Sequence, residues 1–323
     1  MTQTYDVNQN PPTHVAWIGA SHNFQEIGVK QEFSIKDLES LTGVKAHTIR
    51  IWEQRYDLLH PERSETNIRT YSSEDLKRLL NVSLLLDRGM KISKIASMSE
   101  SQMVAAIEKG PSVSEEGNEM IALQRLKVSM MSYDEDLFRK TMDECLDRLG
   151  FESTVLRVCL PFLADIGVLW LTNAICPANE HFMSNLLRQM LYAQIHNTPM
   201  PVVEDEDEVL VLYLPEREIH DISLLFLHQL CRAHGKRSVF LGQSVPFEDL
   251  ATVAGQFPKA RFVTYCTTYP SESQAQEYIQ RIVRTFEGTD VQFHLAGSVF
   301  ESAEPAPGVT LDGTGGALVQ RLF

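Results

Sequence analysis

The chain has no apolar run of the roughly 18 to 20 residues needed to cross a bilayer, so no membrane-spanning helix is expected. Its start lacks the basic stretch and apolar core of a secretory leader. Cysteine is scarce: Cys145, Cys159, Cys176, Cys231 and Cys266 are five in all, odd in number and irregularly spaced. They form neither a disulfide framework nor a C-x-x-C metal site, and a reducing, cytoplasmic location is expected. No phosphate-binding loop, nucleophile elbow or H-E-x-x-H pair occurs, which removes the commonest sequence grounds for an enzyme. Positive charge is in deficit, with 29 Lys and Arg against 43 Asp and Glu and a net charge of −14.

That deficit is unevenly spread. Residues 31–100 hold 11 basic and 11 acidic residues, whereas residues 101–323 hold 17 basic and 30 acidic. At 323 residues the chain has room for two or three cores. Four segments are expected: a disordered tail over 1–30 with Pro11-Pro12, a helical head over 31–109, a helical bundle over 119–198, and an α/β unit over 206–323. Gly110–Asn118 and the acid run Glu204–Glu208 read as linkers by composition.

In the head, Ser34 is placed to cap a short helix, Ile35–Leu41, and Thr42-Gly43 makes a tight turn. A second helix begins near Val44 and carries Lys45, His47, Thr48, Arg50 and Arg55. Trp52 and Tyr56, on one face, are expected in the core. Two short helices joined by a glycine turn form a helix-turn-helix whose second helix enters the DNA major groove. Residues 63–71 then read as a hairpin turned at Thr66-Asn67, with Arg63 and Arg69 flanking it as phosphate clamps and Tyr71 expected beside them among the DNA-binding residues.

The bundle shows apolar residues at three- and four-residue spacing over Met120–Ser132, Asp134–Leu149, Ser153–Leu171 and Ala178–Ile195. Strands Val209–Leu214, Ser238–Leu241, Phe262–Thr267 and Val291–Leu295 then alternate with helices Ile222–His234, Phe247–Phe257 and Glu272–Phe286. A last strand near Val309–Leu311 and a closing helix follow. This alternation predicts a doubly wound parallel sheet of Rossmann type, where ligands bind beyond the carboxyl ends of strands.

At the end of the first of these strands stands Glu218-Ile219-His220. A carboxylate on one imidazole nitrogen fixes the other as a metal ligand; a lone histidine at a helix start is as readily a cap. In the bundle, Trp170 closes one helix, and Glu180-His181 open the next behind Pro177. Trp170 as core and Glu180-His181 as a solvated first turn stand as the plain alternative. His228, Cys231 and His234 recur every three residues but spread around a helix rather than sharing one tight face.

The head pattern is TGV-x-x-x-TIR-x-WE-x-RY-x-L, then P-x-R, N-x-R-x-Y and a helix opening Ser73-Glu74-Asp75-Leu76. It resembles the winged DNA-binding domain of the MerR family. Trp170, nine residues and Glu180-His181 resemble the W-x9-EH signature of the cobalamin-sensing MerR regulators of CarH/LitR type, in which these side chains meet the upper axial group. Glu218-Ile219-His220-Asp221-Ile222-Ser223 resembles the D/E-x-H-x-x-G motif of cobalamin-binding domains, and Leu241-Gly242-x-x-Val245-Pro246 matches their second strand.

The resemblance covers residues 33–297. It implies a repressor on a double-stranded DNA operator, controlled through its oligomeric state as a homodimer or homotetramer. It also implies adenosylcobalamin or methylcobalamin, with His220 on cobalt and Trp170, Glu180, His181, Glu218 and Ser223 around it.

The departures are specific. Ser223 replaces a glycine, and Tyr265-Cys266-Thr267 and Ala296-Gly297 replace the S-x-L/T and Gly-Gly that line the nucleotide-tail channel. Leu171 replaces the histidine of light-sensing members. Two alternatives stand beside the main reading: the same regulator with a sensor half that has lost cobalamin, and a cobalamin-dependent methyltransfer enzyme.

Overall fold

The computed structural model describes residues 32–63, 67–109, 115–171, 174–200 and 209–323. The expected tail over 1–30, much of the first linker and the acid run Glu204–Glu208 lie outside the described residues.

The head opens with α1 (Ile35–Thr42), and its boundaries are chemically explicit. Ser34 and Asp37 form a reciprocal capping box, and Gly43 ends the helix in the left-handed region at φ 73°, where glycine bears no steric cost. α2 (Ala46–Tyr56) follows after three residues. β1 (Glu62–Arg63) and β2 (Arg69–Thr70) pair antiparallel as the wing, and Asn67 takes φ 62°, as a short polar side chain permits. α3 (Ser73–Asp87), boxed by Ser72 and Asp75, and the shorter α4 (Ile92–Ala96) and α5 (Glu100–Lys109) complete the head. Trp52 packs partly buried against this core.

The bundle comprises α6 (Glu115–Ser132), α7 (Glu135–Leu149), α8 (Phe151–Thr154), α9 (Leu160–Leu171) and α10 (Pro177–Asn197). A π-turn, Val155–Cys159, joins α8 to α9 without a break. Pro161 explains it: proline donates no hydrogen bond and its ring crowds the carbonyl four residues back, so the helix widens by one residue there. One continuous apolar core runs from α1 through the bundle to α11.

Beyond it, β3 (Leu210–Pro215), α11 (Ile222–Ala233), β4 (Ser238–Val245), α12 (Phe247–Gln256), β5 (Arg261–Tyr265), α13 (Glu272–Phe286), β6 (Gln292–Ala296), β7 (Val309–Asp312) and α14 (Gly315–Leu322) follow. The five strands are parallel in the order β4-β3-β5-β6-β7. Leu210, Leu212, Leu214 and Val263 face α11 and α14. Val211, Tyr213, Phe262 and Phe293 face α12 and α13. That is the doubly wound arrangement, and it exposes the carboxyl ends of β3 and β5 side by side. β4 runs four residues past the expected Leu241, because pairing with β3 continues to Val245 after a register shift.

α11 carries a buried histidine, His228, whose Nδ1 lies 2.9 Å from the Ser238 hydroxyl. Burial, with Arg232 adding to it, pushes its pKa down to about 4. The folded chain therefore holds His228 neutral while the unfolded chain protonates near pH ~6.5, so stability falls as pH drops from there toward 4. The loss amounts to at most about 3 kcal/mol. Denaturant titrations at neutral pH and near pH 4.5 should show His228→Gln flattening this dependence; an unchanged slope would refute it.

Candidate functional site

The residues expected to face DNA lie mostly on α2. Lys45 is its N-cap residue, and its Nζ reaches Glu39 Oε1 at 3.0 Å. Glu39 Oε2 accepts from the backbone of Ala46 at 3.1 Å, so one carboxylate from α1 sets the angle of α2. His47, Arg50 and Arg55 are exposed. The Thr48 hydroxyl lies 3.3 Å from His47 Nε2, and the Arg55 guanidinium sits over the Tyr56 ring at 5.5 Å. In the wing, Arg63 Nη1 donates to Asn67 Oδ1 at 2.6 Å across the turn.

Two expectations change here. Tyr71 is fully buried, and its hydroxyl donates to Glu53 Oε1. Burial first, and Glu53 second, raise its pKa. Tyr71 therefore anchors the wing to the core instead of touching DNA. Arg69 is not a free clamp: its Nε donates to the other oxygen of Glu53 at 3.2 Å, and Glu53 is nearly buried. Glu53 thus ties α2 to the wing, a role that the chain order conceals because its partners lie 16 and 18 residues away.

The sensor seam lies where α10 meets the carboxyl end of β3. Glu218 is 0 % exposed. Its Oε1 accepts from the backbone of Ile219 and His220 at 2.9 and 3.0 Å and lies 2.5 Å from His220 Nδ1. Its Oε2 accepts from the backbone of Thr267, Thr268 and Tyr269 at 3.0, 2.6 and 2.9 Å. Burial opposes the charge on Glu218, but the hydrogen bonds from His220, Thr268 and Tyr269 outweigh it and hold the carboxyl below the usual range. The same carboxylate raises the pKa of His220, against the effect of burial. His220 is about half exposed, 46 %. With Nδ1 held by Glu218, Nε2 is the nitrogen left to bind a ligand.

The bundle reaches this histidine. Arg188 Nε on α10 donates to Asp221 Oδ1 at 2.7 Å, and Asp221 is buried. Glu180, two helical turns earlier, is near enough for its charge to favour protonated His220. Glu180 is itself held by His181 Nδ1 and the Ser184 hydroxyl, and His181 is exposed. The two motifs, some 40 residues apart, are thus brought to one seam. The side chains of Trp170 and Leu171 lie outside the described residues. Ser223 is half-buried on the first turn of α11. The pair that docks the two units, Arg188 and Asp221, escaped sequence reasoning; the eight-residue spacing from Glu180 to Arg188 was legible, its partner was not.

The fit for a cobalamin divides at this seam. The axial side fits: a buried carboxylate orients an imidazole whose second nitrogen is available. The tail side is narrow. Tyr265 ends β5 on the face covered by α11 and α14, and a Cβ on Gly315 would stand 3.4 Å from its ring. At the neighbouring strand end, a Cβ on Gly297 would meet the carbonyl oxygen of Cys266 at 1.9 Å, so the backbones of the β5 and β6 ends are in contact. Among the described residues no group of three or more His, Cys, Asp or Glu is arranged for a metal ion, and His228 and Cys231 are buried in helix packing. No described helix is long and apolar enough to cross a membrane.

Comparison with known proteins agrees with this layout. Residues 33–102 match the MerR HTH family regulatory protein description, and residues 122–193 match the B12 binding domain. The transcriptional repressor CarH of Myxococcus xanthus is 29% identical over 226 residues, 68% of this chain and 74% of that protein. The repressor CarA of the same organism is 26% identical over 213 residues, 66% and 68% of the two chains. Among solved structures, the monomethylamine corrinoid protein of Methanosarcina barkeri superposes with a TM-score of 0.50 at 13% identity, over 63% of this chain and 98% of that one, a likeness of fold. The chain thus joins a head that matches the MerR HTH description to a bundle that matches the B12 binding domain, the domain make-up of a DNA-binding regulator with a B12-type sensor half.

Proposed function

We propose that this chain is a cytoplasmic transcriptional repressor, not an enzyme, organised as a head over 31–109, a bundle over 119–198 and a ligand unit over 206–323. Its partner is a double-stranded DNA operator, bound by a homodimer or homotetramer. Lys45, His47, Thr48, Arg50 and Arg55 face the major groove, and Arg63 lies against the backbone. A near-neutral head on an acidic body supports more than one head per operator, since linked heads gain from effective concentration.

The sensor ligand is a cobalamin, in adenosyl or methyl form, which His220 would hold through its cobalt and which Trp170, Glu180 and His181 would contact. The observation that carries this is the seam: Glu218 locks His220 while Arg188–Asp221 holds the middle of α10 against the start of α11 beside it. Bound there, the group supplies a cobalt–carbon bond whose presence the bundle can sense. Glu218 holds the proton on Nδ1, Glu180 positions His181, and Arg188 closes bundle onto sheet.

The Tyr265 ring favours a second reading, a sensor half that holds no cobalamin. Visible spectra of the whole protein with adenosyl-, methyl- and hydroxocobalamin separate the two. A shifted spectrum that His220→Ala abolishes supports ligation, and Tyr265→Gly should then tighten binding by opening the tail side. No shift with any form, in wild type or in Tyr265→Gly, supports the second reading and leaves the DNA-binding function standing.

A further inference from the structure

α2 carries one stripe of solvent-facing residues. His47, Arg50, Ile51, Gln54 and Arg55 are all exposed. At about 100° per residue they cover one side of the helix, roughly 140° wide. Ile49 lies about 160° around the helix from Ile51 and is fully buried. Trp52 and Tyr56 fall toward the side of Ile49 and are partly buried. The core side of α2 is therefore supplied without Ile51, which stands 51 % exposed between His47 and Arg55.

A lone apolar side chain on a surface is ordinary. Ile51 is set apart by its neighbours. His47, Arg50 and Arg55 share its stripe, and Lys45 stands at the start of the same helix, so the face suits a groove bordered by phosphates. Isoleucine bonds neither to a phosphate nor to a polar base edge. Its β-branch also makes it a poorer helix former than alanine, lysine or glutamine. What an apolar side chain can meet in the major groove is the 5-methyl group of thymine. Gln54 follows three residues later, and such neighbours stand about 5–6 Å apart at Cβ. That distance spans one to two base pairs at about 3.4 Å each. A side-chain amide suits adenine, whose N7 accepts and whose N6 donates.

We propose that Ile51 is a specificity-determining residue of the head, reading a thymine through its methyl group, with Gln54 reading an adenine beside it. This rests on the reading of α2 as the groove-facing helix and deepens it. Ile51 and Gln54 add discrimination at A·T pairs to the contacts of the basic residues around them. Apolar contact excludes water from the thymine methyl, and the same position offers nothing to cytosine, which lacks that methyl and presents an amino donor instead.

The test uses the whole protein and duplex DNA. Wild type, Ile51→Ala and Gln54→Ala each enrich sequences from a randomised duplex pool. In the duplex that wild type enriches, thymines are then replaced one at a time by deoxyuridine, which deletes only the 5-methyl group. At one position per half-site, deoxyuridine should weaken wild-type binding about four-fold, the worth of one buried methyl, and leave Ile51→Ala unchanged. The salt dependence of Ile51→Ala should match wild type, since no charge is removed. Gln54→Ala should lose its preference for adenine within two base pairs of that thymine. A deoxyuridine scan that affects wild type and Ile51→Ala alike at every position would overturn the proposal while leaving α2 as the reading helix. Retained adenine preference in Gln54→Ala would remove Gln54 from it. Failure of wild type to enrich any sequence would overturn the reading of α2 and the proposal together.

Discussion

Glu218→Ala should destabilise the folded chain by about 3 kcal/mol or more, because five backbone N–H groups and an imidazole lose their shared acceptor inside the protein. The donors come from two loops: Ile219 and His220 after β3, and Thr267, Thr268 and Tyr269 after β5. The Thr268 hydroxyl adds a longer contact at 3.3 Å. One carboxylate therefore clamps two strand ends together. Glu218→Gln keeps one carbonyl acceptor but turns an amide group toward N–H donors, so it should fall between alanine and wild type. His220→Ala should cost far less, since the carboxylate keeps its backbone donors.

The pH dependence has a definite sign. Glu218, held below its usual range, contributes stability that is present above its ordinary pKa of 4.5 and is lost as pH falls through the lower folded value. His220, raised above 6.5, contributes most below that value and loses its share as pH rises through the raised one. Urea denaturation of the three variants checks the ranking. A cost for His220→Ala equal to that of Glu218→Ala would mean that the ion pair, and not the loop clamp, holds the site.

On the proposed dimeric reading, Arg50→Ala should weaken operator binding by on the order of 100-fold, since each of two heads would lose a major-groove base contact worth about 1–3 kcal/mol. Arg50 is exposed near the middle of α2. Arg69→Ala should behave differently. Its guanidinium is engaged by Glu53, so its removal loosens the wing without deleting a free positive charge, and the salt dependence of binding should stay nearly parallel to wild type. Anisotropy titrations on operator and random DNA at several salt concentrations separate these outcomes. A loss of one full unit of salt slope in Arg69→Ala would show that the arginine leaves Glu53 for a phosphate on DNA.

Much of the head was legible because its signals are local. Ser34 with Asp37, Gly43 and the Asn67 turn each act within four residues, and each does in the structure what its chemistry suggests. The alternation of strands and helices was legible for the same reason: the apolar period changes from about 3.6 to 2 along the chain. The end of β4 was not, since residues past Leu241 are held in the sheet by pairing with β3. Tyr71 was misplaced because an aromatic beside two arginines has the same local pattern whether its ring points to DNA or to the core. Only the bridge to Phe33 and the bond to Glu53 decide it.

By itself the sequence determined the order of head, bundle and sheet, the helix caps and the two proposed ligand motifs, Glu180-His181 and Glu218-x-His220, since all of these depend on neighbours along the chain. Tertiary structure alone decided that the motifs meet, through Arg188 and Asp221, that Glu218 gathers donors from a loop some 50 residues away, and that Tyr265 covers the sheet beside Gly315. It also decided which of two isoleucines on α2 the head covers, Ile49, and which it leaves open, Ile51. The physical reason is range: capping and periodicity act over a few residues, whereas burial and electrostatic partners are set by whichever distant segments packing brings within a few ångströms.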